Sequence, residues 1–141
     1  MAAALSVLAD TGGLFALLDD RDEWHGRMRD WLKHATAALV VPMTVVQETA
    51  FLVETRRGPR QEAAFLRTAT TGAFVLEAVQ QEDLVRAADL VDAYADFPLG
   101  FVDASIVAIA ERLDIRSLLT TDRRHFGVIR PAHCERLRLL P

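Results

Sequence analysis

Between Phe101 and Phe126 the chain reads FVDASIVAIAERLDIRSLLTTDRRHF, and this stretch limits the possible folds more than any other. Ile106, Val107, Ala110 and Leu113 recur at spacings of three and four, the period of a helix with one buried face. Asp103 stands just ahead of Ile106 as its candidate N-cap. A turn through Asp114 leads into Ser117–Thr121, an apolar run bounded by turn residues and read as a short buried strand. That strand delivers Asp122 at its C-terminal end.

The same alternation runs through the rest of the chain. Leu5–Ala9 reads as a strand ending in the acidic turn Asp10-Thr11-Gly12-Gly13, and Leu14–Leu18 begins a helical turn that dissolves into the charged run Asp19–Glu23. Trp24, Met28, Trp31 and Leu32 lie at i, i+4, i+7 and i+8, an amphipathic helix whose tryptophans are expected in the core or a dimer contact rather than stacked on a ligand. Leu39–Val41 is a second buried strand stopped by Pro42, and Thr44 is placed to cap a helix from Val45 to Arg56. Gly58-Pro59 breaks the chain before a helix over Glu62–Thr70 and a third strand at Phe74–Leu76. Glu82–Tyr94 is a further helix, with Leu84, Ala87, Ala88 and Val91 as its expected buried stripe. After Asp122 a loop is expected through Gly127 and Pro131, then an edge strand within Arg136–Leu140. Strands alternating with helices define an α/β fold with a mainly parallel sheet.

At 141 residues, 51% hydrophobic and 26% charged, the chain suits one domain over 1–141 with a proper core. The apolar run Met1–Ala9 has no basic flank and ends at Asp10, short of the ~20 residues of a membrane span, so a strand is expected there rather than a signal or an anchor. The single Cys134 has no Cys or His at metal-ligand spacing and reads as a reduced thiol, which places the protein in the cytoplasm. A net charge of −4 argues against a protein held to nucleic acid by overall positive charge, without excluding a nuclease. Arginines do fall in short groups, Arg56 and Arg57 with Arg60, and Arg123 with Arg124. Guanidinium forks match phosphate bidentately, so Arg56, Arg57, Arg123 and Arg124 are candidate RNA contacts, with solvated surface arginine the equal alternative for each.

The acidic residues carry the chemistry. Asp10 and Asp122 each end an apolar strand, and in an open parallel sheet ligands bind at that edge, at the point where strand order reverses. Asp103 opens the helix feeding the second strand. On the helix after Pro42, counting 100° per residue puts Glu48 between Val45, Phe51 and Leu52, on the face expected to be buried. An Asp after a strand can equally be an N-cap, an alternative open to Asp10, Asp103 and Asp122 but not to Glu48. Four carboxylates in one pocket cannot all remain ionised without cations, and oxygen-only ligation suits Mg²⁺ or Mn²⁺. His125 beside Asp122 is expected to be structural, because His25, His34 and His133 offer no spacing that would join it in a transition-metal site.

Taken together, LADTGGL with Asp10, PMTVVQET with Glu48, FVDASIVAIAERL with Asp103 and LLTTDRRHF with Thr120 and Asp122 resemble, in order and spacing, the PIN-domain ribonucleases of the VapC toxin type. The resemblance implies a PIN-like three-layer fold with a five-stranded, mainly parallel sheet in the order 3-2-1-4-5 flanked by helices. It further implies cleavage of RNA dependent on Mg²⁺ or Mn²⁺, homodimerisation, and neutralisation by a cognate VapB antitoxin in a type II toxin–antitoxin system. Asp10, Glu48, Asp103 and Asp122 would be the catalytic metal ligands, with Thr11 and Thr120 orienting them from behind. Gly12 and Gly13 depart from the Ser, Asn or Ala common at those family positions, which would leave Thr11 as the hydrogen-bonding group near Asp10.

Two other classes compete. A phosphatase or receiver-type α/β protein also places Asp after its first strand, but Asp10-Thr11-Gly12 lacks the second Asp, and Lys33 is the only lysine. A non-catalytic PIN-like module whose acidic pocket captures a basic peptide is the other, and divalent-ion-dependent RNA cleavage separates it from the enzyme.

Overall fold

The computed structural model describes residues 5–141. In chain order it contains β1 (Ser6–Ala9), α1 (Thr11–Leu18), α2 (His25–His34), β2 (Ala38–Pro42), α3 (Met43–Arg57), α4 (Pro59–Thr68), β3 (Val75–Glu77), α5 (Gln81–Ala93), α6 (Phe101–Leu113), β4 (Ser117–Leu119), α7 (Arg123–Val128) and β5 (Arg138–Leu140). All strands pair in parallel, in the order β3-β2-β1-β4-β5. Leu8 lies opposite Val40 on one side and Leu118 on the other, so β1 is central and, like other strands covered on both faces, nearly all apolar. From β1 the chain steps outward through β2 to β3, then doubles back to place β4 and β5 on the other side of β1. The reversal puts the C-terminal ends of β1 and β4 side by side. Among the described residues no helix is long and apolar enough to cross a membrane.

The helix expected in the central stretch forms and is the most buried in the chain, with every residue from Ala104 to Ala110 inside. It ends at Asp114 in the left-handed conformation (φ 53°), which a short polar side chain tolerates. Gly58, at φ 86°, separates α3 from α4, and Pro59 starts the latter. In α2 Met28 is fully buried, Trp31 and the N-cap Trp24 lean on the core, and Leu32 is exposed.

Several expectations are corrected. Helix α6 starts at Phe101 with Gly100 as N-cap, so Asp103 sits in its first turn and does not cap it. Helix α3 starts at Met43, because Pro42 already has the extended backbone of an N-cap, and Thr44 lies inside the helix. Its hydroxyl instead bonds Ser105 Oγ at 2.7 Å, and Ser105 donates to the Val102 carbonyl. In α5 the buried face is Asp83, Ala87 and Leu90, while Leu84, Ala88 and Val91 are exposed. Counting apolar residues missed this face because its anchor is charged: Asp83 accepts from the Gln80 N–H and pairs with Arg112 at 2.9 Å, and Arg112 also reaches Glu77. The loop expected after Asp122 contains α7, which Asp122 caps. Strand β4 ends at Leu119, two residues earlier than expected.

Candidate metal centre at the strand ends

Asp10 leaves β1 in extended conformation and caps α1, accepting the Gly13 N–H at 2.7 Å. Its other oxygen accepts the hydroxyl of Thr120, and its own N–H donates to the Leu119 carbonyl. Thr120, fully buried just past β4, also accepts the Asp122 N–H at 2.8 Å. One hydroxyl therefore holds the Asp10 carboxylate and the backbone of Asp122 together. Asp122 caps α7, its two oxygens taking the backbone N–H of His125 (2.9 Å) and the ring Nδ1–H of His125 (2.7 Å). His125 rests on Phe97 with ring centroids 5.0 Å apart.

Thr11 does not do what was expected of it. Its Oγ1 is buried with no hydrogen-bond partner among the described residues, and Asp10 is held by Gly13 and Thr120 instead. The glycine pair departing from the family pattern is thus part of the site. A Cβ on Gly13 would lie 2.2 Å from the Leu119 carbonyl oxygen, so only glycine lets the first turn of α1 approach β4 closely enough to reach Asp10.

Burial pushes the Asp10 carboxyl up to about 7, with Asp103 and Asp122 adding to the shift and the Thr120 and Gly13 hydrogen bonds opposing it. Burial also raises Asp103 to about 6, with Asp122 and Glu48 adding and His125 opposing. All four carboxylates therefore share one electrostatic neighbourhood. Glu48 is exposed, not buried as counted, because α3 buries Val45, Val46, Thr49, Ala50 and Val53 and leaves Phe51 62% exposed on the side of Glu48. Glu48 lines an open groove of about 390 Å³ with Thr44, Phe51, Phe101 and Val102. The Thr44–Ser105 bond ties its helix to that of Asp103, a link whose only trace in the sequence is two small hydroxyls among apolar residues.

Among the described residues, no group of three or more His, Cys, Asp or Glu side chains is arranged to hold a metal ion as it stands. The donor set nevertheless fits a hard divalent cation. Asp10 is 5% exposed and has no cationic partner among the described ion pairs, its neighbours are carboxylates, and the donors are all oxygen. Asp103 is not spent on capping its helix and can turn toward an ion.

The linked stability effect has a definite sign. Asp10 and Asp103 bind protons more tightly folded than at their ordinary value of 3.8, so as pH rises from 4 toward 7 the folded state loses stability relative to the unfolded one. In EDTA the melting temperature should fall between pH 5 and pH 8, by the equivalent of at most about 3 kcal/mol for Asp10 alone. Millimolar Mg²⁺ should restore most of it at pH 8. Thermal melts at both pH values check this, and a melting temperature independent of pH and Mg²⁺ would mean that neither burial nor mutual repulsion raises these carboxyls.

Of the candidate RNA-binding arginines, Arg57 is committed to Asp19 at 2.6 Å, and Arg56 lies over the Phe15 ring at 5.0 Å. Arg123 donates to the Pro141 carbonyl and lies 5.8 Å from the centroid of Trp24, while Arg124 is exposed and makes no ion pair among the described residues.

A doubly wound parallel sheet with carboxylates gathered at its reversal point defines a PIN-type fold, and the PIN domain model matches residues 7–130. The chain belongs to the PIN-domain family, and within it to the VapC-type ribonuclease toxins of VapBC toxin–antitoxin systems. It is 36% identical over 135 residues to ribonuclease VapC26 of Mycobacterium tuberculosis, a match covering 96% of this chain and 100% of that protein. The crystal structure of M. tuberculosis VapC20, described as a Sarcin-Ricin loop cleaving toxin, superposes with a TM-score of 0.79 at 21% identity over 84% of this chain and 92% of that one. DNA-bound VapBC from Salmonella typhimurium superposes at 0.71 and 14% identity, over 96% of each chain, and supports the fold alone. Ribonucleases of this family are generally metal-dependent.

Proposed function

We propose that this chain hydrolyses RNA phosphodiester bonds at a divalent-cation site held by Asp10, Asp103, Glu48 and Asp122, with Mg²⁺ as the ion and Mn²⁺ able to replace it. The observation carrying this reading is the burial of Asp10 and Asp103 beside Asp122 and Glu48, which raises their carboxyls to about 7 and about 6 with no Arg or Lys paired to either among the described residues and His125 opposing the rise at Asp103. When bound, a divalent cation lowers the pKa of a coordinated water and shields the phosphate charge. The chain's own part is positional: Gly13 and Thr120 fix the Asp10 oxygens, Thr120 and His125 fix Asp122, and the Thr44–Ser105 bond sets α3 beside α6 so that Glu48 faces Asp103. No covalent enzyme intermediate is required.

The groove beside Glu48 supports neutralisation by a VapB-type antitoxin. Phe51 and Phe101 are 62% and 47% exposed there, and an apolar segment laid over them would bring a basic side chain to the carboxylates. Arg suits that position because one guanidinium pairs bidentately with carboxylate. The exposed apolar residues of α3 and α5 also support a homodimer.

The test is incubation of the purified chain with total cellular RNA, followed by end mapping, with Mg²⁺, with Mn²⁺ and with EDTA. Defined cleavage ends that appear with either ion and vanish in EDTA are expected. Absence of cleavage in all three conditions would leave the non-catalytic peptide-binding module as the better reading.

A further inference from the structure

Resting on the ribonuclease reading, we infer that Arg123, Trp24 and Arg27 form a binding strip for single-stranded RNA leading away from the carboxylates. Arg123 is the first residue of α7, immediately after Asp122, and its guanidinium carbon lies 5.8 Å from the centroid of the Trp24 ring. Arg27, in the first turn of α2, places its guanidinium carbon 5.1 Å from the same ring. Two helices distant in sequence thus set two cations on one aromatic ring at the edge of the site. The His25 Nδ1 contact with the Ala16 carbonyl, at 2.7 Å, fixes the start of α2 against α1, so the strip has a rigid base.

Among the described residues neither Arg27 nor Arg123 pairs with an Asp or Glu side chain, whereas Arg57, Arg86 and Arg112 are each spent on at least one. Arg123 does donate from Nη2 to the backbone oxygen of Pro141, and its ring contact is the longer of the two. A polyanion approaching a protein of net charge −4 needs local positive charge beside the acidic pocket, and this is where the fold supplies it. Trp24 is only partly buried, and beyond it an open concavity of about 640 Å³, lined by Arg27, Trp31, His34 and Pro141 with Asp30, has room for a nucleotide. Base faces stack on an indole or a guanidinium plane irrespective of sequence, and the freed guanidinium edges fork onto phosphates. The chemistry selects an unpaired strand, since a base inside a duplex offers no open face.

The experiment uses the full chain carrying Asp103→Asn to prevent turnover, with Trp31→Phe leaving Trp24 as the only tryptophan. Titration with a 12-nucleotide single-stranded RNA should quench Trp24 fluorescence saturably, and a duplex of equal length should not. Arg27→Ala with Arg123→Ala should weaken binding at least about fivefold and reduce the slope of log affinity against log salt by about 1.4, two phosphate contacts on a single strand. Arg27→Lys with Arg123→Lys should keep the slope but not the full affinity, because charge survives and the stacking plane is lost. Trp24→Leu, read by the anisotropy of an end-labelled RNA because no tryptophan then remains, tests the platform, with the arginine pairs as the surface control if that variant folds poorly. Unchanged affinity and slope in the folded double-Ala protein would overturn the proposal. Failure of the unmodified chain to cleave any RNA would count against the ribonuclease reading instead.

Discussion

Asp103→Asn should reduce RNA cleavage by more than about 100-fold while making the metal-free protein more stable. Groups that merely orient metal ligands are worth 10–100-fold, so loss of a ligand should exceed that range. The opposite movement of stability follows from the same charge: Asp103 is forced upward by burial, Asp122 and Glu48, and a neutral amide of the same shape removes that repulsion. At pH 8 in EDTA the gain should be about 1 kcal/mol, after discounting for screening at a partly exposed group. Asp10→Asn should behave alike, and Glu48→Gln should lose activity with little gain in stability because Glu48 is exposed. Cleavage rates and urea denaturation of the same preparations check both halves. A variant that loses activity and stability together would point to a structural defect, and one that keeps near-normal cleavage would remove its residue from the site.

Gly13→Ala should be the most damaging substitution in the first turn of α1, costing about 3 kcal/mol or preventing folding. The added Cβ would meet the Leu119 carbonyl oxygen at 2.2 Å and its carbon at 2.8 Å, backbone atoms that move only if β4 moves. Relief requires lifting α1 from the sheet, which would break the bond from the Asp10 N–H to Leu119 and carry Asp10 away from Thr120. Gly12→Ala is the control. Its Cβ meets the Thr121 hydroxyl at 2.5 Å, the tip of a side chain that can rotate away, so a cost below about 1 kcal/mol is expected. Denaturation midpoints at unchanged slope distinguish the two, and a Gly13→Ala protein as stable as the parent would mean that the close approach is not required.

How far the chain could be read from its residues depended on what each signal encodes. Asp10 and Asp122 were legible because each ends an apolar strand, and the parallel sheet places both at one edge. Capping was the explanation to exclude, and the outcome is mixed: Asp10 and Asp122 do cap their helices, whereas Asp103 does not. Helix phase was less legible. Angular counting along α3 put Glu48 on a buried face because it weighted Phe51, which the fold leaves exposed, and along α5 it overlooked Asp83, whose burial depends on Arg112 from another helix. Short-range chemistry that needs a distant partner was hidden altogether. Nothing near Thr44 announces Ser105, nothing near Gly13 announces the Leu119 carbonyl, and the ring shared by Arg27 and Arg123 exists only once α2 and α7 meet.

Calorimetric titration of Mn²⁺ into the protein at pH 7, repeated in two buffers of different ionisation enthalpy, tests most directly whether the carboxylates act as one cation site. With the Asp10 carboxyl at about 7, ion binding should be saturable and should release roughly half a proton or more, and Asp10→Asn should abolish that release while weakening the binding. Saturable binding with no proton released, or binding indifferent to Asp10→Asn, would contradict the assignment.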